Sequence, residues 1–102
     1  MTSSNHIAWV YIITNEPITV LYCGYSTALH TRVWEHQTKQ NPNSFTARYN
    51  VCKLVFYKGF NSIESAQAFE KKVKGKSREW KIRLINSMNP EWRDLSDEAK
   101  DL

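Results

Sequence analysis

Five side chains stand out by type and spacing. Tyr11 and Tyr22 sit in two short apolar segments, Arg32 follows Tyr22 by ten residues, His36 follows Arg32 by four, and Glu70 directly precedes Lys71 and Lys72. Each type has a task it does well. A guanidinium forks onto oxyanions, an imidazole relays protons near neutral pH, and a carboxylate holds a hard cation such as Mg²⁺. A free phenol, with a pKa of ~10, is a poor base at neutral pH until neighbouring cations lower that value. Each also has a plain structural use. Glu70 can pair with Lys74 at i+4, a tyrosine can pack in a core with its polar tip satisfied, and a lone histidine is commonly structural. The stripe shared by Leu29, Arg32, Val33 and His36 argues for more, because a guanidinium and an imidazole there serve no packing end, and the stripe argues against a surface position for Arg32.

The elements that must position these groups can be read from the sequence. Residues 8–14 (Ala-Trp-Val-Tyr-Ile-Ile-Thr) and 19–24 (Thr-Val-Leu-Tyr-Cys-Gly) are rich in aromatic and β-branched types and predict two strands. Asn15-Glu16-Pro17 between them is a turn signal, so an antiparallel hairpin is the simplest connection. Gly24 marks a bend or a close backbone approach. Ser26 or Thr27 is placed to cap a helix running to about Lys39, and residues 51–58 predict a third strand. Asn61 with Glu64 predicts the start of a second helix with Ala66, Phe69 and Val73 on its apolar face, and Gly75 its stop. Ser77 predicts the cap of a third, with Trp80, Leu84, Ile85 and Met88 on one face and Asn89-Pro90 at its end. The expected fold is therefore α/β, a small three-stranded, mainly antiparallel sheet flanked by about three helices in the order β-β-α-β-α-α. We expect one domain over residues 8–95, a flexible N-terminus over 1–7 and a polar, fraying tail over 96–102.

The formal net charge is +4, which suits an anionic partner, and nucleic acid is the commonest one. No apolar run approaches the ~18 residues of a membrane span, and the N-terminus does not read as a secretory signal; we expect a cytoplasmic chain. Cys23 and Cys52 read as buried free thiols, and no paired Cys or His spacing suggests zinc.

Several further segments fall into register with the five residues. Trp9-Val10-Tyr11, Tyr22-Cys23-Gly24, Arg32-x-x-x-His36, Phe45-Thr46-Ala47-Arg48-Tyr49-Asn50, Glu70-Lys71 and Asn89-Pro90-x-Trp92 follow one another from about Trp9 to Leu95. In that order the sequence resembles the GIY-YIG nuclease superfamily, and within it the short single-domain bacterial UPF0213-like proteins. It departs at Trp9, where the family has glycine, at Cys23, where it has isoleucine, and at Lys76, where the small proteins often have tryptophan. The first two are apolar positions of little consequence; the third alters the surface.

The resemblance implies an endonuclease that hydrolyses phosphodiester bonds of DNA in repair, recombination or processing. Such a reaction needs an activated water, charge stabilisation on the phosphate and help for the leaving oxygen. Glu70 would hold one Mg²⁺ or Mn²⁺ that keeps most of its waters, and Arg32 would bind the scissile phosphate. Tyr11 and Tyr22 would activate or position water, with the base left open between them, and His36 would relay a proton or contact phosphate. Gly24 and Asn89 would support the site. Arg48, Lys71 and Lys72 would contact the backbone without reading sequence. Phe45 and Tyr49 would either stack on an exposed base or pin their loop. With no separate recognition domain, specificity is expected to be for shape or to come from a protein partner, and the chain is taken as a monomer. Two alternatives remain: a nucleic-acid-binding module with weak or no turnover, and an RNA-directed nuclease.

Overall fold

The computed structural model describes residues 6–15, 18, 20–39, 43–44, 48–100 and 102. Strand β1 (Ala8–Thr14) is followed by β2 (Leu21–Ser26), helix α1 (Leu29–Gln37), β3 (Lys53–Phe60), α2 (Ile63–Lys74), α3 (Arg78–Met88) and a single turn α4 (Ser96–Ala99). The three strands form one antiparallel sheet in the order β2-β1-β3. All seven residues of β1 are buried. A central strand covered on both faces needs apolar residues at every position rather than at alternate ones, and this accounts for its unbroken run.

Two cores lie on the two faces of the sheet. Ala8, Val10, Ile12, Cys23, Val55 and Phe56 pack with Ala66 and Val73 of α2 and Ile85 of α3. Trp9, Tyr11, Ile13 and Leu54 pack with Leu29 and Val33 of α1 and with Leu95 and Ala99. Each fully buried aliphatic side chain here contributes about 1.5–3 kcal/mol relative to exposure. The β1–β3 register slips between Ile12 and Ile13, where Ile12 pairs with Phe56 and Ile13 with Leu54. Val55 is the extra residue of a bulge, so Val55 and Phe56 both join the first core while Leu54 and Tyr57 belong to the second.

The expected element order holds, with several corrections of detail. β2 continues through Gly24 to Ser26, paired with Trp9, because the ladder with β1 is unbroken there; Gly24 is not a bend. Helix α1 begins later than Ser26 or Thr27 predicts. The Ser26 hydroxyl accepts from Ala28 N two residues on, closing a turn ahead of the helix. The cap of α2 is Ser62, which accepts from Ser65 N, and not Asn61. Ser77 caps α3 as expected, by accepting from Trp80 N. Met88 leaves the apolar face of α3 and is exposed.

Both chain ends are tied in further than composition suggests. Ile7 N donates to Phe60 O, extending the β1–β3 pairing one residue outward; residues 1–5 lie outside the described residues. Residues 96–99 do not fray but form α4, because Leu95 and Ala99 are buried and the Asp94 carboxylate accepts from Ser96 N at the start of the turn. Leu95 N also donates to Leu54 O, anchoring this segment to β3. Among the described residues, no helix is long and apolar enough to cross a membrane.

Candidate active site

On β1, Tyr11 faces α1 and is 2% exposed, with its phenol 3.3 Å from Nε2 of His36. Tyr22, two residues before Gly24 on the same face of edge strand β2, brings its ring centroid to 5.7 Å from that of His36. The His36 imidazole therefore lies against both tyrosine rings, the Tyr11 centroid standing 6.0 Å from its own. Helix α1 positions the imidazole because Leu29 and Val33 bury its underside and His36 lies one turn beyond Arg32 on the adjoining flank.

Gly24 pairs with Tyr11 across the ladder, and a Cβ at that position would stand 2.6 Å from the Tyr11 hydroxyl. The glycine is there because the phenol lies over the strand where a side chain would rise. That is a close approach, as its residue type predicted, but to a side chain instead of a backbone.

Burial pushes the Tyr11 phenol well above the ordinary tyrosine range, Tyr22 adds to this, and Arg32 works against it without prevailing. The expectation that nearby cations make this tyrosine more acidic is therefore corrected for Arg32: its field has the expected sign, but desolvation outweighs it. His36 is shifted the other way. Burial lowers its pKa from 6.5 and the Arg32 charge lowers it further, with Glu35 opposing. The pair is thus a protonated phenol beside a neutral imidazole, and in the tautomer with its proton on Nδ1 the phenol donates to Nε2.

Arg32 itself is not interior. Its side chain is about half exposed and only loosely paired, Nε standing 3.8 Å from Glu35. The helix turns it to the flank of the apolar stripe and leaves its fork open to solvent beside the phenols and imidazole.

Glu70 comes from α2, which lies across the sheet from α1 and contacts β1 and β2. Its carboxylate is largely covered, at 18% exposure, and Oε2 lies 3.2 Å from Nζ of Lys74. The i+4 partner read from the sequence is present, but the carboxylate is not an ordinary exposed one. Its charge acts on the Tyr11 phenol and on the Cys23 thiol, which burial pushes up to about 11. Lys74 has its own pKa opposed by burial but raised on balance by the Glu70 hydrogen bond and charge, with Tyr22 and Cys23 adding to it. The Tyr11 phenol therefore feels charges from both faces of the sheet, Arg32 on the side of α1 and Glu70 on that of α2, and His36 feels Arg32. Both cysteines are free, Cys23 buried and Cys52 half-buried.

Asn89 lies elsewhere. It is 2% exposed and caps the end of α3; its amide donates to Val55 O at 3.2 Å and Arg93 O at 2.8 Å, and its Oδ1 accepts from Arg93 N. It fastens the chain after α3 to the bulge in β3, on the far side of β1 from β2. Arg48 and Tyr49 are exposed, as are Lys71 and Lys72 on α2; Phe45 lies outside the described residues.

Sequence reading missed Tyr57, which pairs with Tyr11 on β3 and extends the row from Gly24. Its hydroxyl donates to Glu98 of α4 at 2.7 Å, and burial together with that carboxylate pushes the phenol up to about 12. The signal was hidden by the bulge, which reverses the alternation of β3 just before it.

Comparison with known proteins agrees with the fold. A family model described as the GIY-YIG catalytic domain matches residues 7–83. Among solved structures, the chain is similar to the solution NMR structure of the UPF0213 protein BH0048 from Bacillus halodurans. The two are 26% identical, the match covers 85% of this chain and 90% of that one, and the TM-score is 0.55. No curated protein matches the chain.

Proposed function

This chain belongs to the GIY-YIG catalytic-domain family of the nuclease superfamily, and from that premise we propose that it is a metal-dependent endonuclease that hydrolyses DNA phosphodiester bonds with little sequence preference. The observation that carries the reading is the His36 imidazole against two tyrosine rings, with the open Arg32 one helical turn away and the charge of the covered Glu70 carboxylate acting on the Tyr11 phenol.

Among the described residues, no three His, Cys, Asp or Glu side chains come together. An ion ligated wholly by protein, in the manner of structural zinc, has no seat among them. Mg²⁺ or Mn²⁺ has a smaller demand, since such an ion keeps several waters and takes further oxygens from substrate phosphate. One largely covered carboxylate at the edge of the sheet fits that demand, and Glu70 would hold the ion. Once bound, such an ion supplies a more acidic water and offsets charge on the phosphoryl oxygens.

The chain's own groups do the rest. Arg32 binds the phosphate through its fork and offsets the charge that builds on its oxygens. Tyr11 keeps its proton in the resting site and passes it to Nε2 of His36 as its oxygen takes one from the attacking water. The Arg32 charge opposes an imidazolium at His36, but a phosphate seated on Arg32 cancels much of that opposition. Tyr22 flanks the imidazole and orients the water. Asn89 serves the fold through its bonds to β3.

Backbone contact falls to the basic corner of α2 and α3. Residues 71–83 carry seven Lys or Arg and one Glu, Lys71 and Lys72 among them. Arg48, at the end of a helical turn closed by its N–H to Ser44 O, and Tyr49 beyond it lie exposed ahead of β3 and add a further contact. Such contacts track phosphates without reading bases, so selectivity is for substrate shape or comes from a partner protein.

The test is cleavage of plasmid, branched DNA and RNA in Mg²⁺ or Mn²⁺. We expect nicking of DNA that chelator abolishes and that Glu70→Ala abolishes without unfolding the protein. Binding without cleavage in every metal would replace the enzyme with a binding module, and cleavage of RNA alone would reassign the substrate.

The pH dependence follows from His36. Only the neutral imidazole accepts a proton, so kcat/KM should fall on the acid side with an apparent pKa below 6.5, the direction of the shift. The same shift affects stability. In the window below 6.5 and down to the folded pKa the unfolded chain binds more protons at this residue, so stability rises with pH through that window and is lost as pH falls through it. His36→Gln should remove both features. An acid limb unchanged in that variant would exclude His36 as the acceptor.

A further inference from the structure

Lys74 has no part in the chemical steps above beyond its share of the basic corner, yet its ammonium is the direct partner of the carboxylate assigned to the metal. Nζ of Lys74 lies 3.2 Å from Oε2 of Glu70, one turn along α2. The two ends of this pair are unequal: the carboxylate is 18% exposed and the lysine side chain 52%. A carboxylate taken so far out of water needs a cation beside it. The half-exposed lysine, on a flexible four-carbon stem, loses little by leaving. The lysine is in the last turn of α2, the helix that packs on β1 and β2, so its freed ammonium stays on that side of the sheet.

We propose that Lys74 is a placeholder cation for the metal site: it holds the Glu70 carboxylate in place before the ion binds, is displaced by it, and then pairs with a phosphate oxygen of the substrate. The proposal rests on the assignment of Glu70 as the metal-holding residue. A divalent ion on this carboxylate, even at Oε1, stands a few Å from the ammonium against Oε2, and like charges that close repel strongly where water is scarce. The side chain that leaves is the one with access to solvent. Displacement is therefore a competition, and removing the competitor must strengthen metal binding. An ion pair that merely braces the helix would change it by no more than the pair is worth, roughly twofold.

The experiment is Mn²⁺ binding by electron paramagnetic resonance or calorimetry, without DNA, on wild type, Lys74→Met and Glu70→Gln, each checked for folding by circular dichroism. Lys74→Met should bind Mn²⁺ about threefold more tightly or better, beyond the roughly twofold worth of an exposed helix ion pair. In steady-state cleavage the same variant should show a raised KM for DNA, from the lost phosphate contact. Unchanged, weaker or unmeasurable Mn²⁺ binding in Lys74→Met overturns the proposal. The two assignments fail separately. If Glu70→Gln binds Mn²⁺ as wild type does, Glu70 is not the metal residue and the parent reading fails; if Glu70→Gln loses binding while Lys74→Met is unchanged, only the placeholder fails.

Discussion

Replacing Arg32 with alanine is expected to lower single-turnover cleavage by about 10²–10³-fold, the loss that follows removal of one preorganised donor to a developing oxyanion. The fold should not notice. The side chain is half exposed and its one ion pair, with Glu35 at 3.8 Å, is long, so the change in stability should stay within about 0.5 kcal/mol. Lysine should recover little of the loss, since an ammonium keeps the charge but not the planar fork that meets two phosphate oxygens. Glu35→Ala is the companion control, because it frees the guanidinium from that pair and should leave the rate near wild type. Cleavage rates and thermal melting on the three variants decide the matter. Arg32→Ala cutting at the wild-type rate would remove the guanidinium from the site.

Gly24→Ala is expected to damage catalysis although glycine and alanine differ by one methyl group. The added Cβ would lie 2.6 Å from the Tyr11 hydroxyl and 2.8 Å from Cζ. Tyr11 has nowhere easy to go, being 2% exposed and packed on its strand. Gly24 does not have a positive φ, so the backbone accepts alanine without strain and the steric conflict is isolated. Overpacking of this kind costs about 1–3 kcal/mol. The phenol would also leave its 3.3 Å contact with His36, and a misplacement near 1 Å can cost roughly 10²-fold in rate. The urea midpoint and kcat should fall together. Tyr11→Phe in the same chain should recover part of the stability, because the hydroxyl is the closest atom, and none of the rate. An active Gly24→Ala protein would show that the phenol has room to move.

The sheet was legible in the sequence because β1 is covered on both faces and its apolar run is unbroken. The helices were legible through Ala66, Val73 and Ile85, which fall at helical spacing and are buried. The bulge at Val55 was not, since one extra residue leaves no mark in a run of apolar types and appears only when two strands are laid in register. Residues 96–99 misled for a related reason. Ser-Asp-Glu-Ala reads as polar, and the two residues that fasten the turn, Leu95 and Ala99, are too few to make a pattern. At the site, residue types and order singled out Tyr11, Tyr22, Arg32, His36 and Glu70, while the environments that set their protonation were out of reach. Burial is a property of the packed chain, so sequence could weigh Arg32 against the tyrosine's pKa but not the desolvation that outweighs it. Asn89 was read by position, and its bonds to Val55 and Arg93 depend on long-range contacts that spacing does not reveal.

The two helical layers also make the molecule an electric dipole. Residues 71–83, on α2 and α3, carry a net +6, whereas residues 91–100, which include α4 on the opposite face, carry four acids and two bases. In the field of a polyanion such a body experiences a torque before it touches anything. It turns its α2–α3 face toward the phosphates and its α4 face away, so the side that carries Glu70 and the basic residues after it meets them first. Orientation at a distance raises the fraction of collisions that begin on the basic face, and it weakens as added salt shortens the reach of the field to about 8–10 Å. The association rate with DNA should therefore fall with ionic strength more steeply than the net charge of +4 alone implies.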